Sequence, residues 1–447
     1  MHPSRAIRGR TTRLLEGKRI IVGISGSIAA VEVPRIIREL LRHGAEVRAV
    51  MSPEATRIIT PEAVEFATGH PPVLQLTGNV EHVTFLGPGD DRADLMLIAP
   101  ATANTISKIA QGIDDTAVTS FASVALGGGV PLLIAPAMHS HMGLNPAVRE
   151  NLERLRSWGV AVLHGASTEG EEKIATPEEV AAAVLHRLAS GPWAQRRLIV
   201  IGGASREKID AVRSLTNESS GTMAVALATQ AYFRGAEVEF WAGALQVTPP
   251  AWLPLVRWQG VEDLIALARL RRADLARAAA ILVPAALSDF TLEPRSGKIA
   301  SRDHAVLTLA LRRAPKVLPT LRSLAPRPTR LVGFKLETGA TPEQLEAEGE
   351  RLRTETGADW VVANDVSAMG ASDTSVIVLS GVGRGQWIRG PKPDVAGKLL
   401  DDLGREIANV THAATGTASR SSSGVSSRGP ARRRGGGGAR RRPPRRP

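Results

Sequence analysis

"RIIVGISGSIAA", Arg19–Ala30, decides the fold. Its apolar run does not alternate with polar residues, as expected of a strand covered on both faces. It stops at a Gly/Ser turn and passes into a pattern predicted to be helical from Ile28 to His43. Further apolar runs follow in "AEVRAVMS" (Ala45–Ser52), "ADLMLIAP" (Ala93–Pro100) and "VPLLIAP" (Val130–Pro136), with a helix predicted through Thr102–Gln111. Strand, helix, strand at this spacing is the signature of a doubly wound parallel α/β sheet.

The pattern restarts near residue 190, where "ASGPWAQRR" (Ala189–Arg197) reads as a linker and "LIVIGGAS" (Leu198–Ser205) as a new first strand. "HGAEVRAV" (His43–Val50) in the first half is echoed by "RGAEVEFWAG" (Arg234–Gly243) in the second, which suggests two separate nucleotide-binding-type sheets. "AAAILVPAAL", "LVGFKLET", "ADWVVAND" and "SVIVLS" supply further strands, and a helix near Pro393–Ile407 closes the second unit. The expected organisation is a basic extension over 1–17, domains over 18–190 and 191–411, and a tail over 412–447 whose Ser, Gly, Pro and Arg content predicts disorder.

At 447 residues the chain suits two or three domains. Its formal charge of +12 suggests a polyanion partner until it is located: ten arginines and no carboxylates lie from Asn409 to Pro447, so the rest carries only +2. A basic binding face on the body therefore does not follow from charge. With no cysteine, disulfides, thiolate metal sites and a cysteine nucleophile are excluded. No apolar run approaches the ~20 residues of a membrane span, and residues 1–18 lack the apolar core of a signal peptide. A soluble, cytoplasmic protein is expected.

The candidate chemistry sits where predicted strands end. "GISGSIAA" (Gly23–Ala30) offers backbone N–H groups with the Ser25 and Ser27 hydroxyls, either a phosphate cradle or a tight strand-to-helix turn. It matches neither the dinucleotide fingerprint nor the P-loop. In "APATANTISKIAQGIDD" (Ala99–Asp115), Thr102, Asn104 and Thr105 stand at a sheet's carboxyl edge, where open α/β sheets bind ligands, and they equally suit helix caps. His82 in "NVEHVTFLG" is either a surface or core histidine or a general base. In "PAMHSHM" (Pro136–Met142), His139 and His141 stand two apart with no third ligand in a metal-binding spacing, and Met138 and Met142 read as packing residues.

In the second half, "GGASREKIDAVRSLTNESSGTMA" (Gly202–Ala224) is an anion cradle or a long polar loop. Asp289 in "AALSDF" and Lys298 in "SGKIAS" form a carboxylate and ammonium pair suited to a magnesium nucleoside triphosphate whose pyrophosphate leaves.

Taken in order across residues 18–410, these segments resemble the bifunctional phosphopantothenoylcysteine decarboxylase and phosphopantothenate–cysteine ligase family of coenzyme A synthesis, in its archaeal-like branch. On the decarboxylase side the resemblance is carried by "GSIAA", "EHVTF", "APATANTISKIAQGIDD" and "PAMHSHM". On the ligase side it is carried by "REKIDAVRSLTNESSGTMA", "AALSDF", "KIAS", "VGFKLET" and "VVANDVS". For the first half it implies a flavodoxin-like FMN domain, with Gly26, Ser27, Ser52, Thr102, Asn104, Thr105 and Met138 near the cofactor and His82 as the catalytic histidine. The flavin would oxidise the cysteine moiety to a thioaldehyde, carbon dioxide would leave, and hydride would return to the enethiol.

For the second half it implies a Rossmann-like ligase that activates 4'-phosphopantothenate as an acyl-nucleotide before cysteine attacks. Ala285, Asp289, Lys298, Pro315, Lys316, Val317, Leu318 and Phe334 match nucleotide positions, while Arg213 and Asn217 match positions near the phosphopantothenoyl part, with Asn217 and Lys298 catalytic. The residues do not choose between CTP and ATP. Mg²⁺ would accompany the nucleotide, and a homo-oligomer built on the flavin domain is implied.

Two departures stand out. His139 occupies the place of the family's bacterial asparagine, and "STEGEEKIATPEE" (Ser167–Glu179) lacks the flap cysteine thought to act as proton donor, which makes His139 the candidate replacement. Two expected lysines are also missing ahead of "ADWVVAND", where Arg351 and Arg353 are close by. One alternative is a ligase with an inactive decarboxylase half. Another is a nucleic-acid binder acting through its arginine tail, and deleting 412–447 distinguishes it, since turnover should survive.

Overall fold

Five parallel strands, β1 (Arg19–Ile24), β2 (Glu46–Met51), β3 (Leu95–Ala101), β4 (Leu132–Pro136) and β5 (Ala161–Val162), make the first sheet, ordered β2-β1-β3-β4-β5. The computed structural model describes residues 2–165, 167–168, 171–172, 174–300, 306–365, 373–381 and 385–420. Neighbouring residues along one strand serve different cores. Val22 and Leu97 pack with Ile36 and Val184 on one face, and Ile21 and Ile98 pack with Ile106 and Phe121 on the other. Burial on both faces is why the strand sequences are continuously apolar.

The segment predicted as one helix over Ile28–His43 is divided into a 3₁₀ stretch, Ile28–Glu32, and an α-helix, Val33–Arg42. Pro34 is the reason: it has no N–H to continue an α-helical ladder, but it fits a first turn. The N-terminal extension is packed onto this domain, for Leu15 is buried in its core and Arg8 donates to the Gly44 carbonyl at 2.9 Å.

The second sheet has eight strands: β6 (Arg197–Gly202), β7 (Glu237–Ala242), β8 (Leu255–Arg257), β9 (Ala280–Val283), β10 (Arg330–Glu337), β11 (Trp360–Asp365), β12 (Asp373–Leu379) and β13 (Gln386–Pro391). Their order is β8-β7-β6-β9-β10-β11-β12-β13, parallel as far as β11 and antiparallel beyond it. Ala280 and Leu282 face one core while Ile281 and Val283 face the other. Sequence reading missed β8, which is three residues long, and β13, an edge strand with only Ile388 buried.

The stretch expected to be a linker is a packed joint. Trp193 is buried and donates from Nε1 to the Leu400 carbonyl at 2.8 Å. The halves meet through rings, His43 edge-on to Phe233 at 5.6 Å and His186 stacked on Tyr232 at 4.2 Å. The last helix runs Lys392–Arg420, past the boundary at 412, because extending a formed helix costs far less than nucleating one; residues 421–447 of the tail lie outside the described residues. Among the described residues no helix is long and apolar enough to cross a membrane.

Candidate active sites

In the order β2-β1-β3-β4-β5 the connections out of β1 and into β3 leave in opposite directions, so a crevice opens between these strands' carboxyl ends. Ser25, buried at the end of β1, donates from Oγ to the Pro100 carbonyl at 2.7 Å and accepts from the Thr102 N–H at 3.0 Å. Thr102 caps the helix Ala103–Gln111, accepting from the Thr105 N–H at 3.2 Å, and its hydroxyl meets that of Thr105 at 3.0 Å. Thr102 is therefore the cap and Thr105 the residue it caps, whereas Asn104 is exposed and makes no side-chain hydrogen bond among the described residues. Ser27 caps the 3₁₀ stretch, and Ser52 is buried at the end of β2 with its N–H on the Ile24 carbonyl. A Cβ on Gly26 would fall 2.3 Å from the Glu54 Cβ, so only glycine lets these loops approach.

His82 lies in the first turn of the helix Glu81–Leu86. The preceding Val80 has φ +46°, a strained conformation for a β-branched residue and one that persists only where surroundings enforce it. Thr77 does so by donating its N–H and hydroxyl to the Glu81 carboxylate, and the hydroxyl bond above all holds that carboxyl below its ordinary pKa. The His82 ring leans against Phe121, with centroids 6.4 Å apart, and its buried Nδ1 has no hydrogen-bond partner among the described residues.

Met138 is buried, as expected for a packing residue, but Met142 is 49% exposed because it belongs to a single surface turn, Ser140–Gly143. His139 is exposed, and its backbone pairs with that of Glu171, in a two-residue strand that also pairs antiparallel with Ser167–Thr168. Its ring stacks on that of His141 at 4.9 Å with the two Nδ1 atoms 3.3 Å apart. His82 and His139 thus stand on different elements, one against Phe121 and the other beside the flap.

At the carboxyl edge of the second sheet a cavity of about 720 Å³ gathers Asn217 of the long polar loop, Ala285 and Asp289 from beyond β9, Lys316 ahead of the helix Val317–Leu324, and Phe334 of β10. Pro315, Val317 and Leu318 line it too. Asn217 is fixed by donating to the Leu287 carbonyl at 3.0 Å, and the Lys316 ammonium pairs with Asp289 at 2.8 Å, both side chains 74% exposed. Gly221, at φ +77°, leads into the helix Thr222–Phe233, whose first turn faces the cavity.

Arg213 and Lys298 are not among the lining residues. Arg213 pairs with Asp210 at 3.2 Å and donates to the Ile299 carbonyl. Asp210 also accepts from the N–H groups of Val212, Arg213 and Ile299; the Val212 bond is the largest cause holding its carboxyl below the ordinary range. This turn fastens the segment carrying Lys298, which is exposed and adjoins residues 301–305 outside the described set. Of the two arginines offered as substitutes for lysine, Arg351 lines the cavity, held by Glu348 and Glu355, while Arg353 pairs with Glu350 and lies outside the lining. Sequence reading missed Lys335 and Lys392 in the lining: Lys335 stands inside "VGFKLET", where only Phe334 was singled out, and Lys392 belongs to no recognisable motif.

Residues 8–189 match the Flavoprotein family model, and residues 193–406 match that of the DNA/pantothenate metabolism flavoprotein C-terminal domain. The chain is 40% identical over 408 residues to the coenzyme A biosynthesis bifunctional protein CoaBC of Thermococcus kodakarensis, covering 90% of this chain and 99% of that one. The protein of the same name from Methanocaldococcus jannaschii is 35% identical over 82% of this chain and 88% of its own. A crystal structure of a CoaBC C-terminal domain is similar at 25% identity over 49% of this chain and 100% of its own, with a TM-score of 0.40. This chain therefore belongs to the family of bifunctional coenzyme A biosynthesis enzymes, a flavoprotein decarboxylase domain followed by a ligase domain.

Proposed function

We propose that the second half joins L-cysteine to 4'-phosphopantothenate at the expense of CTP or ATP, and that the first half decarboxylates the resulting phosphopantothenoylcysteine to 4'-phosphopantetheine with FMN. The observation that carries the ligase reading is one cavity that gathers Asn217, Asp289, Lys316 and Phe334 from separate stretches of chain. Cations there neutralise the charge that develops on departing pyrophosphate, and Mg²⁺ would enter with the nucleotide. Asn217 orients the acyl group, its amide set by the Leu287 carbonyl. Arg213 and Lys298 serve from the adjoining segment that Asp210 fastens.

The crevice of the first sheet fits FMN on three counts: glycine where any side chain would meet Glu54, a nine-residue helix with its amino end at the rim, and a buried imidazole nitrogen without a partner among the described residues. Gly26, Ser27, Ser52, Thr102, Asn104, Thr105 and Met138 would hold it. When bound, FMN supplies the two-electron oxidation and reduction that makes carboxylate loss possible. His82 is the general base, because no group among the described residues claims its Nδ1. His139, beside the cysteine-free flap, returns the proton. A cytoplasmic homo-oligomer is the proposed working form.

The test is an absorbance scan of the purified chain, then turnover of 4'-phosphopantothenate, cysteine, Mg²⁺ and either nucleotide, followed by pyrophosphate and carbon dioxide. Bound flavin with both products is expected. Pyrophosphate alone, from colourless protein, would leave the ligase and remove the decarboxylase.

A further inference from the structure

Four cations line the ligase cavity, and three of them are occupied. Lys316 pairs with Asp289, Lys335 with Glu337, and Arg351 with Glu348 and Glu355. Lys392 differs: it is 7% exposed, and among the described residues its ammonium makes no ion pair or hydrogen bond. Burial pushes its pKa below the ordinary lysine value. It is also the first residue of the helix Lys392–Arg420, at the pole of the helix dipole that repels a cation.

A buried, unpaired ammonium at a helix amino end is costly on both grounds, and an anion relieves both. The surroundings offer a place for one. The helix Lys392–Arg420 packs along Thr222–Phe233, whose first turn lines the same cavity. Gly221 supplies no side chain to cap that turn, so the N–H groups of Met223 and Ala224 have no helical acceptor. Thr374, on the neighbouring strand β12, adds a hydroxyl to the wall.

We propose that Lys392 is the anion-binding residue of the ligase cavity, its ammonium acting with the amino end of the helix Thr222–Phe233 to hold a phosphate group. That group is either the monoester of the acid substrate or a phosphate of the nucleotide; choosing between them rests on the ligase function proposed above, while the anion site itself does not.

The first experiment is calorimetric titration of inorganic pyrophosphate and inorganic phosphate into the full chain, wild type and Lys392→Met. Wild type should bind at least one of them, and K392M should bind it at least tenfold more weakly while melting no lower than wild type without ligand. K392R, which keeps the cation, should retain binding. Equal affinity in K392M, no binding of either anion by wild type, or an equal loss in folded K392R would overturn the proposal. Should K392M not fold, Lys392→Gln against K392R carries the same comparison.

In turnover, a tenfold rise in KM for the phosphorylated acid alone assigns the monoester, and a rise for the nucleotide alone assigns the triphosphate. A fall in kcat with both KM values unchanged counts against binding altogether. If wild type releases no pyrophosphate, the ligase reading fails and the anion titrations still decide the role of Lys392.

Discussion

The two carboxyl-edge sites are built in opposite ways. In the first sheet the polar groups are already committed to one another: Ser25 to Pro100 and Thr102, Thr102 to Thr105, Ser52 to the backbone. The crevice is preformed and sterically exact, and the buried Nδ1 of His82 has no hydrogen-bond partner among the described residues. In the second sheet the cations are held loosely, the Lys316–Asp289 pair being 74% exposed on each side and Lys392 having no partner among the described residues. Groups fixed in advance suit a resident cofactor, whereas exchangeable or unpaired charges suit polyanions that enter and leave at each turnover.

The largest expected effect sharpens that contrast. His82→Asn should cut carbon dioxide release by roughly 10²–10⁴-fold, the usual contribution of a positioned acid or base, and leave pyrophosphate release within twofold of wild type. Loss of both activities together would show that the two sites are not independent.

Next comes Gly26→Ala, whose new Cβ would meet Glu54 at 2.3 Å. Forcing the two loops apart should cost about 1–3 kcal/mol and reduce flavin absorbance per chain, with the ligase again spared. Full flavin occupancy in this variant would contradict a tightly preformed crevice.

The smallest effect falls on the looser site. Lys316→Ala should raise the nucleotide KM by about tenfold, the lower end for a hydrogen bond to a charged group, with kcat little changed. Decarboxylation of phosphopantothenoylcysteine supplied ready-made should be unaffected. A collapse of kcat instead would mean that the exposed Lys316–Asp289 pair is as firmly positioned as the first site.

Much of this architecture was legible in the chain because it depends on local pattern. Continuous apolar runs announced doubly covered strands, and Gly/Ser and Thr/Asn clusters after them marked sheet edges. Pro34 divided a predicted helix and Trp193 turned a predicted linker into a joint. The first is a local backbone effect; the second depends on a partner, Leu400, about two hundred positions away. Met142 was misread since hydrophobicity alone does not reveal that its turn lies on the surface.

Two α/β units, their order, the resemblance to a bifunctional family and a part of the cavity lining could be read along the chain, because such information is carried by periodicity and short motifs. It takes the folded chain to show which cations share the ligase cavity, that Arg351 enters it while Arg353 does not, and that Lys392 is buried there without a partner among the described residues. Charge pairing and burial arise where distant segments converge, and a lysine at the start of an ordinary helix carries no mark of either.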